Sequence, residues 1–347
     1  MISVLTVVGA RPQFIKAAPV SSALRRHGGF EEALVHTGQH FDAAMSDVFF
    51  KELEIPAPAY TLNINSLGHG AMTGRMMEGI ETILLARKPD LVLVYGDTNS
   101  TLAGTLAAVK LGIPTAHVEA GLRSFNRSMP EEINRILTDH AADLLLCPTR
   151  AAVANLASEG IRAQVRQVGD VMFDATLAAV EKGRRASAIL KTLSLNPKSY
   201  AVATLHRAEN TDDPARLTRL LDWLESCAAR LPVIMPVHPR TRQALTRNGL
   251  PARGLRLIDP LGAIDMAWLC RNAAEIHTDS GGLQKEAYFH RVPCTTLREE
   301  TEWVETIEAG WNRLWTSEGY APRREIEDYG EGRAGEAVAQ SLAGLLR

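Results

Sequence analysis

The chain has little cysteine, almost no net charge and no long apolar run, and each shortage excludes something. Its four cysteines, Cys147, Cys227, Cys270 and Cys294, stand far apart and form no C-x-x-C pair. That argues against a disulfide framework and against metal binding, and leaves small buried core residues as their expected role. A net charge of −2 gives no general attraction to nucleic acid or to an anionic membrane. An anionic ligand must then be held by a local basic site. No run approaches the ~20 apolar residues of a membrane helix. The first residues enter a strand pattern, Ser3–Val8, without a basic stretch and a long apolar core. No signal peptide is expected, and the protein reads as cytoplasmic. Two nucleotide motifs are also missing: G-x-x-x-x-G-K-[ST], and a G-x-G-x-x-G after the first strand. Neither NTP hydrolysis nor an NAD fingerprint is indicated.

What is present is an alternation of strand and helix patterns. With 347 residues, 46% hydrophobic and 22% charged, the chain is an ordinary globular sequence of about two domains. Strands are expected at Ser3–Val8, Ala33–Thr37, Leu91–Tyr95, Ile113–Val118, Leu144–Cys147 and Val165–Val168. Helical patterns lie between them at Phe14–Arg26, Ala43–Leu53, Met72–Ala86, Ser100–Leu111 and Glu131–Ala142. A second set of strands follows at Tyr200–Thr204, Val233–Pro236, Leu255–Ile258, Glu275–Thr278 and Pro293–Leu297. Such alternation is the mark of α/β architecture with parallel sheets. Two sets imply two Rossmann-like, doubly wound domains, 1–169 and 170–334, facing a cleft suited to a nucleotide-linked substrate. Residues 335–347 read as a last helix that packs back on the first domain.

Three carboxylates concentrate the chemistry. Asp97 and Glu119 each follow an apolar strand, and Glu131 opens the next helix. Strand C-terminal ends meet in one crevice of an open parallel sheet, so three acids there point to proton transfer. Each has a plainer role as well. Asp97 can cap the helix that begins near Thr98. Glu131 fits a capping box with Ser128, with Pro130 in the first turn. Glu119, in His117-Val118-Glu119-Ala120-Gly121, is harder to place as a cap, because burial there is costly without a partner.

Two further stretches suit an anion. Asp279-Ser280-Gly281-Gly282 joins a strand to the pattern Leu283–His290. Ser280 is a natural N-cap, and Gly281 and Gly282 let a phosphate approach free N–H groups at a helix N-terminus. Glu286 on the same helix can accept hydrogen bonds from ribose hydroxyls. After the first strand come Arg11, in the loop, and Lys16, in the first turns of the helix, two cations able to grip a diphosphate. His206, just after a strand of the second set, can donate a proton to a departing phosphate. His238, at the next strand end, is the weaker candidate.

Taken together, Gly9–Lys16, Thr37–His40, Gly96–Thr98, His117–Arg123, Pro130–Arg135, Leu205–Asn210 and Thr278–Glu286 resemble the non-hydrolysing UDP-N-acetylglucosamine 2-epimerase family in order and over nearly the whole chain. The resemblance implies a GT-B-like fold with the substrate between the domains. It implies inversion at C2 of a UDP-linked 2-acetamido sugar, without metal or other cofactor. Asp97, Glu119, Glu131 and His206 take the family's catalytic positions. Arg11, Lys16, Ser280, Gly281, Gly282, Glu286 and Arg298 take nucleotide-sugar positions, and Leu261 and Met266 fall where the family holds uracil. A homodimer working in surface-polysaccharide synthesis is implied as well. Two departures stand out. Glu300-Thr301-Glu302-Trp303-Val304-Glu305 carries Trp303 where a ligand-binding arginine is usual, resembling a branch that acts on UDP-2,3-diacetamido-2,3-dideoxyglucuronic acid. The family's allosteric site is only partly matched, by Gln39 and Arg75, so substrate activation is not expected. Rival readings are a hydrolysing relative that releases UDP and N-acetylmannosamine, a GT-B glycosyltransferase, and a nucleotide-sugar sensor.

Overall fold

The computed structural model describes residues 1–39, 50 and 53–345. The expected helical pattern at 43–53 lies almost wholly outside them. The chain divides into two compact units, 1–175 with 327–347, and 176–326. The first division falls within the helix Val171–Ala186, close to the expected join at 169/170.

Among the described residues the first unit has seven strands: β1 Ile2–Val8, β2 Phe30–His36, β3 Tyr60–Thr61, β4 Leu91–Tyr95, β5 Thr115–Val118, β6 Leu144–Cys147 and β7 Val165–Gln167. They lie in the order β3-β2-β1-β4-β5-β6-β7, every neighbouring pair parallel. Strand order reverses between β1 and β4, where a doubly wound sheet opens its binding crevice. β4, Leu-Val-Leu-Val-Tyr, is buried along its whole length, as a central strand covered on both faces must be. Each such side chain contributes roughly 1.5–3 kcal/mol on leaving water. The helix Ala334–Leu345 packs Ala334, Val338, Ala339 and Leu342 into the same apolar cluster as Phe14, Ala17, Val20 and Leu24 of the helix Arg11–His27. The C-terminal segment thus belongs to the first unit.

The second unit has six strands: β8 Ala201–Thr204, β9 Val233–Pro236, β10 Leu255–Ile258, β11 Glu275–Thr278, β12 Cys294–Thr296 and β13 Asn312–Leu314. Their order is β10-β9-β8-β11-β12-β13, again all parallel. Its switch point lies between β8 and β11. All four cysteines are buried free thiols. Among the described residues no helix is long and apolar enough to cross a membrane.

Candidate active site

In the first unit the switch-point loops are tied together before any acid is considered. Gln13 accepts from the backbone N–H groups of Gly9 (2.8 Å) and Ala10 (3.1 Å) and donates to the carbonyl of Tyr95 (2.8 Å) and to Thr101 Oγ1 (3.0 Å). One amide thus joins the loop after β1 to the loop after β4. The helix begins at Arg11 itself, not at Phe14. Arg11 therefore occupies an exposed first-turn position rather than a loop.

Lys16, on that helix, forms an ion pair with Glu119 Oε2, with only 16% and 10% of the two side chains exposed. Burial alone would push the Lys16 ammonium down, but the charges of Glu119, Asp97 and Asp170 outweigh it and hold its pKa up. Gly96 makes room for this pair. A Cβ there would sit 3.2 Å from Glu119 Oε2 and 3.4 Å from Lys16 Nζ. Glu119 has φ = +73°, a left-handed conformation that costs a side-chain-bearing residue on the order of 1–3 kcal/mol. The loop is fastened on several sides: Glu119 N and Ala120 N both donate to the Leu146 carbonyl, at 3.0 and 3.2 Å. Gly121, at φ = +80°, has no room for a Cβ, which would collide with the Ala152 carbonyl.

Asp97 does not cap the following helix. Thr98 does, accepting from Thr101 N at 3.3 Å, because the Asp97 carboxylate reaches sideways to Arg135. The capping box of Ser128 with Glu131 is not formed either. Met129 is the N-cap residue, and Ser128 Oγ donates to Asn126 Oδ1 at 2.6 Å. Glu131 stands exposed on the first turn of the helix Pro130–Ala141. Its neighbour Glu132 is the buried one, accepting from Ser124 N and Phe125 N at 2.9 Å and from Arg135 at 2.9 Å. Asp97 and Glu119 therefore each face a cation.

In the second unit a cavity of about 270 Å³ is lined by Thr204, Leu205, His206, Pro236, His238, Pro260, Leu261, Met266, Ser280, Leu283 and Glu286. Six of the sequence-predicted residues meet there: His206, His238, Leu261, Met266, Ser280 and Glu286. Ser280 caps the helix Gly281–Phe289, accepting from Leu283 N at 3.4 Å. Burial raises the Glu286 carboxyl, with Lys285 opposing. His206 is fixed by Asp279, a residue that sequence reasoning did not single out. Asp279 is fully buried and accepts from His206 N (2.9 Å), Arg207 N (2.9 Å) and Asn210 Nδ2 (3.1 Å), and lies 3.1 Å from His206 Nδ1. Burial pushes the Asp279 carboxyl up, but these donors together hold it below the usual range. The His238 ring lies 5.5 Å from that of His206. Burial and the nearby His206 lower its pKa.

Arg298 does not line the cavity. It is buried behind the cradle, donating to Glu302 at 2.7 Å and lying 3.2 Å from Glu209. Glu302 Oε1 occupies the space that a Cβ at position 281 would take. Trp303 stacks on the Lys285 ammonium, 4.2 Å from ring centroid to Nζ. Gln39 Oε1 accepts from Ser100 N at 3.0 Å and Ser100 Oγ at 2.7 Å, and Arg75 is exposed.

The UDP-N-acetylglucosamine 2-epimerase family model matches residues 22–343 of this chain. The chain belongs to that family. A UDP-N-acetylglucosamine 2-epimerase homolog of Methanococcus maripaludis is 51% identical, with 99% of each chain covered. A UDP-2,3-diacetamido-2,3-dideoxy-D-glucuronate 2-epimerase of Pseudomonas aeruginosa is 49% identical, also with 99% of each covered. Among solved structures, the UDP-GlcNAc 2-epimerase of Methanocaldococcus jannaschii in complex with UDP-GlcNAc and UDP matches at a TM-score of 0.83 and 38% identity, over 99% of both chains. The fold of this 2-epimerase family member thus matches that structure over nearly its whole length.

Proposed function

We propose that this chain interconverts the C2 epimers of a UDP-linked 2-acetamido sugar without hydrolysing it. The observation that carries the reading is the pairing of its two strand-end acids: Glu119 against Lys16 and Asp97 against Arg135. Carboxylates fixed in position are the kind of group that general acid–base catalysis uses. In the first half-reaction one acid takes the C2 proton as the C1–O bond to UDP breaks. The products are a 2-acetamidoglucal and UDP. A proton is then delivered to C2 from the opposite face, and a UDP oxygen re-forms the C1–O bond. Asp97, Glu119 and Glu131 are assigned to the proton transfers. In the second unit, Ser280, Gly281 and Gly282 take the diphosphate, His206 stabilises it as it departs, Glu286 takes the ribose, and Leu261 and Met266 flank the uracil. Arg11 and Lys16 assist the leaving diphosphate, and Arg298 holds the cradle in shape through Glu302.

One observation favours a second substrate. The pairing of Trp303 with Lys285 replaces the arginine usual in the family. The relative 49% identical over 99% of its length is named for UDP-2,3-diacetamido-2,3-dideoxy-D-glucuronate. Incubation in D₂O with each UDP-sugar, followed by NMR, separates the readings. Deuterium at C2 with the UDP linkage intact supports the epimerase, and the sugar that exchanges faster is the substrate. Free sugar would instead mean a hydrolysing enzyme, and no exchange with either would sink the reading. A cytoplasmic homodimer serving surface-polysaccharide synthesis completes the proposal, and sedimentation analysis tests the dimer.

A further inference from the structure

We infer that Asp139 is a positioning residue for the acid pair: one buried carboxylate fixes the two backbone loops that carry Asp97 and Glu119. This rests on the proposed function, in which those acids handle the C2 proton.

Asp139 lies in the last turn of the helix Pro130–Ala141 and is essentially inaccessible to solvent. A negative charge at a helix C-terminus opposes the helix dipole, so local structure gives no reason for an acid there. The reason is in what it holds. Asp139 Oδ1 lies 2.7 Å from His117 Nδ1, and His117 Nε2 lies 2.7 Å from the carbonyl oxygen of Gly96. Each ring nitrogen therefore faces an oxygen of one of the two elements being joined. The Gly96 carbonyl belongs to the peptide that leads into Asp97. Asp139 Oδ2 accepts from Gly121 N at 3.0 Å and from Arg123 Nη1 at 2.7 Å. Gly121 closes the left-handed turn that Glu119 opens, and its own carbonyl accepts from Asn155 Nδ2 at 3.0 Å.

The network is closed on its far side. Arg123 grips Glu159 through Nε at 2.7 Å and Nη2 at 2.9 Å. His140 reaches the same Glu159 at 3.0 Å. A buried charge network of this kind is seldom more stable than apolar packing of the same volume. Its use here is geometric. A single carboxylate sets the spacing between the loop after β4 and the loop after β5, and it does so from the helix whose first turn carries Glu131. All three acids are thereby referred to one rigid element. Displacing a reacting group by about 1 Å costs on the order of 10²-fold in rate.

The test is a cycle of variants in the full-length enzyme, read by C2 deuterium exchange. Asp139→Asn is expected to lower kcat ~10²-fold while KM stays within about twofold. In a Glu119→Gln background the same change is expected to lower kcat by clearly less than in the wild-type background, because only the displacement of Asp97 remains to be felt. An equal loss in both backgrounds, a rise in KM alone, or an unchanged kcat would overturn the inference. Should Asp139→Asn fail to fold, His117→Asn cuts the link from Asp139 to Gly96 and leaves Asp139 its contacts with Gly121 and Arg123. It is expected to couple with Asp97→Asn and not with Glu119→Gln; equal coupling to both, or to neither, overturns the inference. A wild-type chain that exchanges neither sugar overturns the proposed function instead, which keeps the two failures apart.

Discussion

In the first unit the groups at the switch point are charged side chains in ion pairs; in the second they are backbone N–H groups, a hydroxyl and a half-buried histidine. The two sheets share one strand order, apart from β7. The difference therefore comes from what the loops carry. In the first unit, loops after β1, β4 and β5 bring Lys16, Asp97 and Glu119 together, and Asp139 and Gln13 brace them. In the second, the loop after β11 supplies a capped helix start, and the loop after β8 supplies His206, held by Asp279. A proton-transfer site needs charges placed against each other. A diphosphate site needs donors and open backbone. On the proposed reading the same topology serves both, because the switch point offers strand ends and helix starts without dictating their chemistry.

The sharpest way to break this comparison is to neutralise one acid and one cradle group in parallel. Glu119→Gln is expected to lower kcat for C2 exchange by roughly 10³–10⁴-fold, at the upper end of what a general acid or base contributes. UDP binding, followed by calorimetry, should be unchanged. If UDP affinity falls as steeply as kcat, the division of labour is wrong.

A second test separates the units by pH. Burial lowers the pKa of His277 and of His290 to about 3, with Arg313 and Arg230 near the first and Arg271 and Lys198 near the second. Unfolding restores both to the ordinary range near 6.5. The unfolded chain then binds protons that the folded unit refuses, so stability falls as pH drops from about 6.5 towards 3. Asp139 acts in the same sense, but only below the ordinary carboxylate range. Burial would raise its pKa, but His117 and Arg123 hold it below the usual range. Its contribution is present above the unfolded carboxylate value and is lost only as pH falls through its own lowered one. Among the described residues the first unit carries one lowered histidine of its own, the half-buried His36. Hydrogen exchange read by mass spectrometry between pH 7 and 5 is expected to show the second unit opening first. His277→Leu should flatten the dependence, and earlier opening of the first unit would count against it.

The smallest effect is expected at the helix cap. Ser280→Ala removes one acceptor at the start of the helix, worth about 1 kcal/mol, and should weaken UDP binding roughly fivefold. Exchange measured at saturating sugar should change little. A loss in kcat as large as that of Glu119→Gln would place Ser280 among the proton-handling groups.

Much of the fold was legible because the central strands are continuous apolar runs. Leu91–Tyr95 and Leu144–Cys147 begin and end where the sequence pattern puts them. β3 and β13 were not anticipated. They are two and three residues long, too short to show a period. The candidate acids were visible through their place after strands, but their partners were not. Arg135 and Lys16 reach Asp97 and Glu119 across the sheet, and no spacing along the chain signals that. Asp139 and Asp279 were missed for the same reason. For Asp279 a signal existed, an acid directly between a buried strand and a glycine-rich helix start. For Asp139 the only hint was a carboxylate at the wrong end of a helix.

The left-handed backbone at Glu119 has a consequence for how this chain can change. Glycine would adopt that conformation without strain, and an apolar residue at position 16 would no longer need a counter-charge. The pair of substitutions Lys16→Met and Glu119→Gly is therefore expected to leave the fold as stable or more so, and to abolish exchange. Selection for heat resistance alone would drift towards an inert enzyme at this position. Selection for activity holds it where it is.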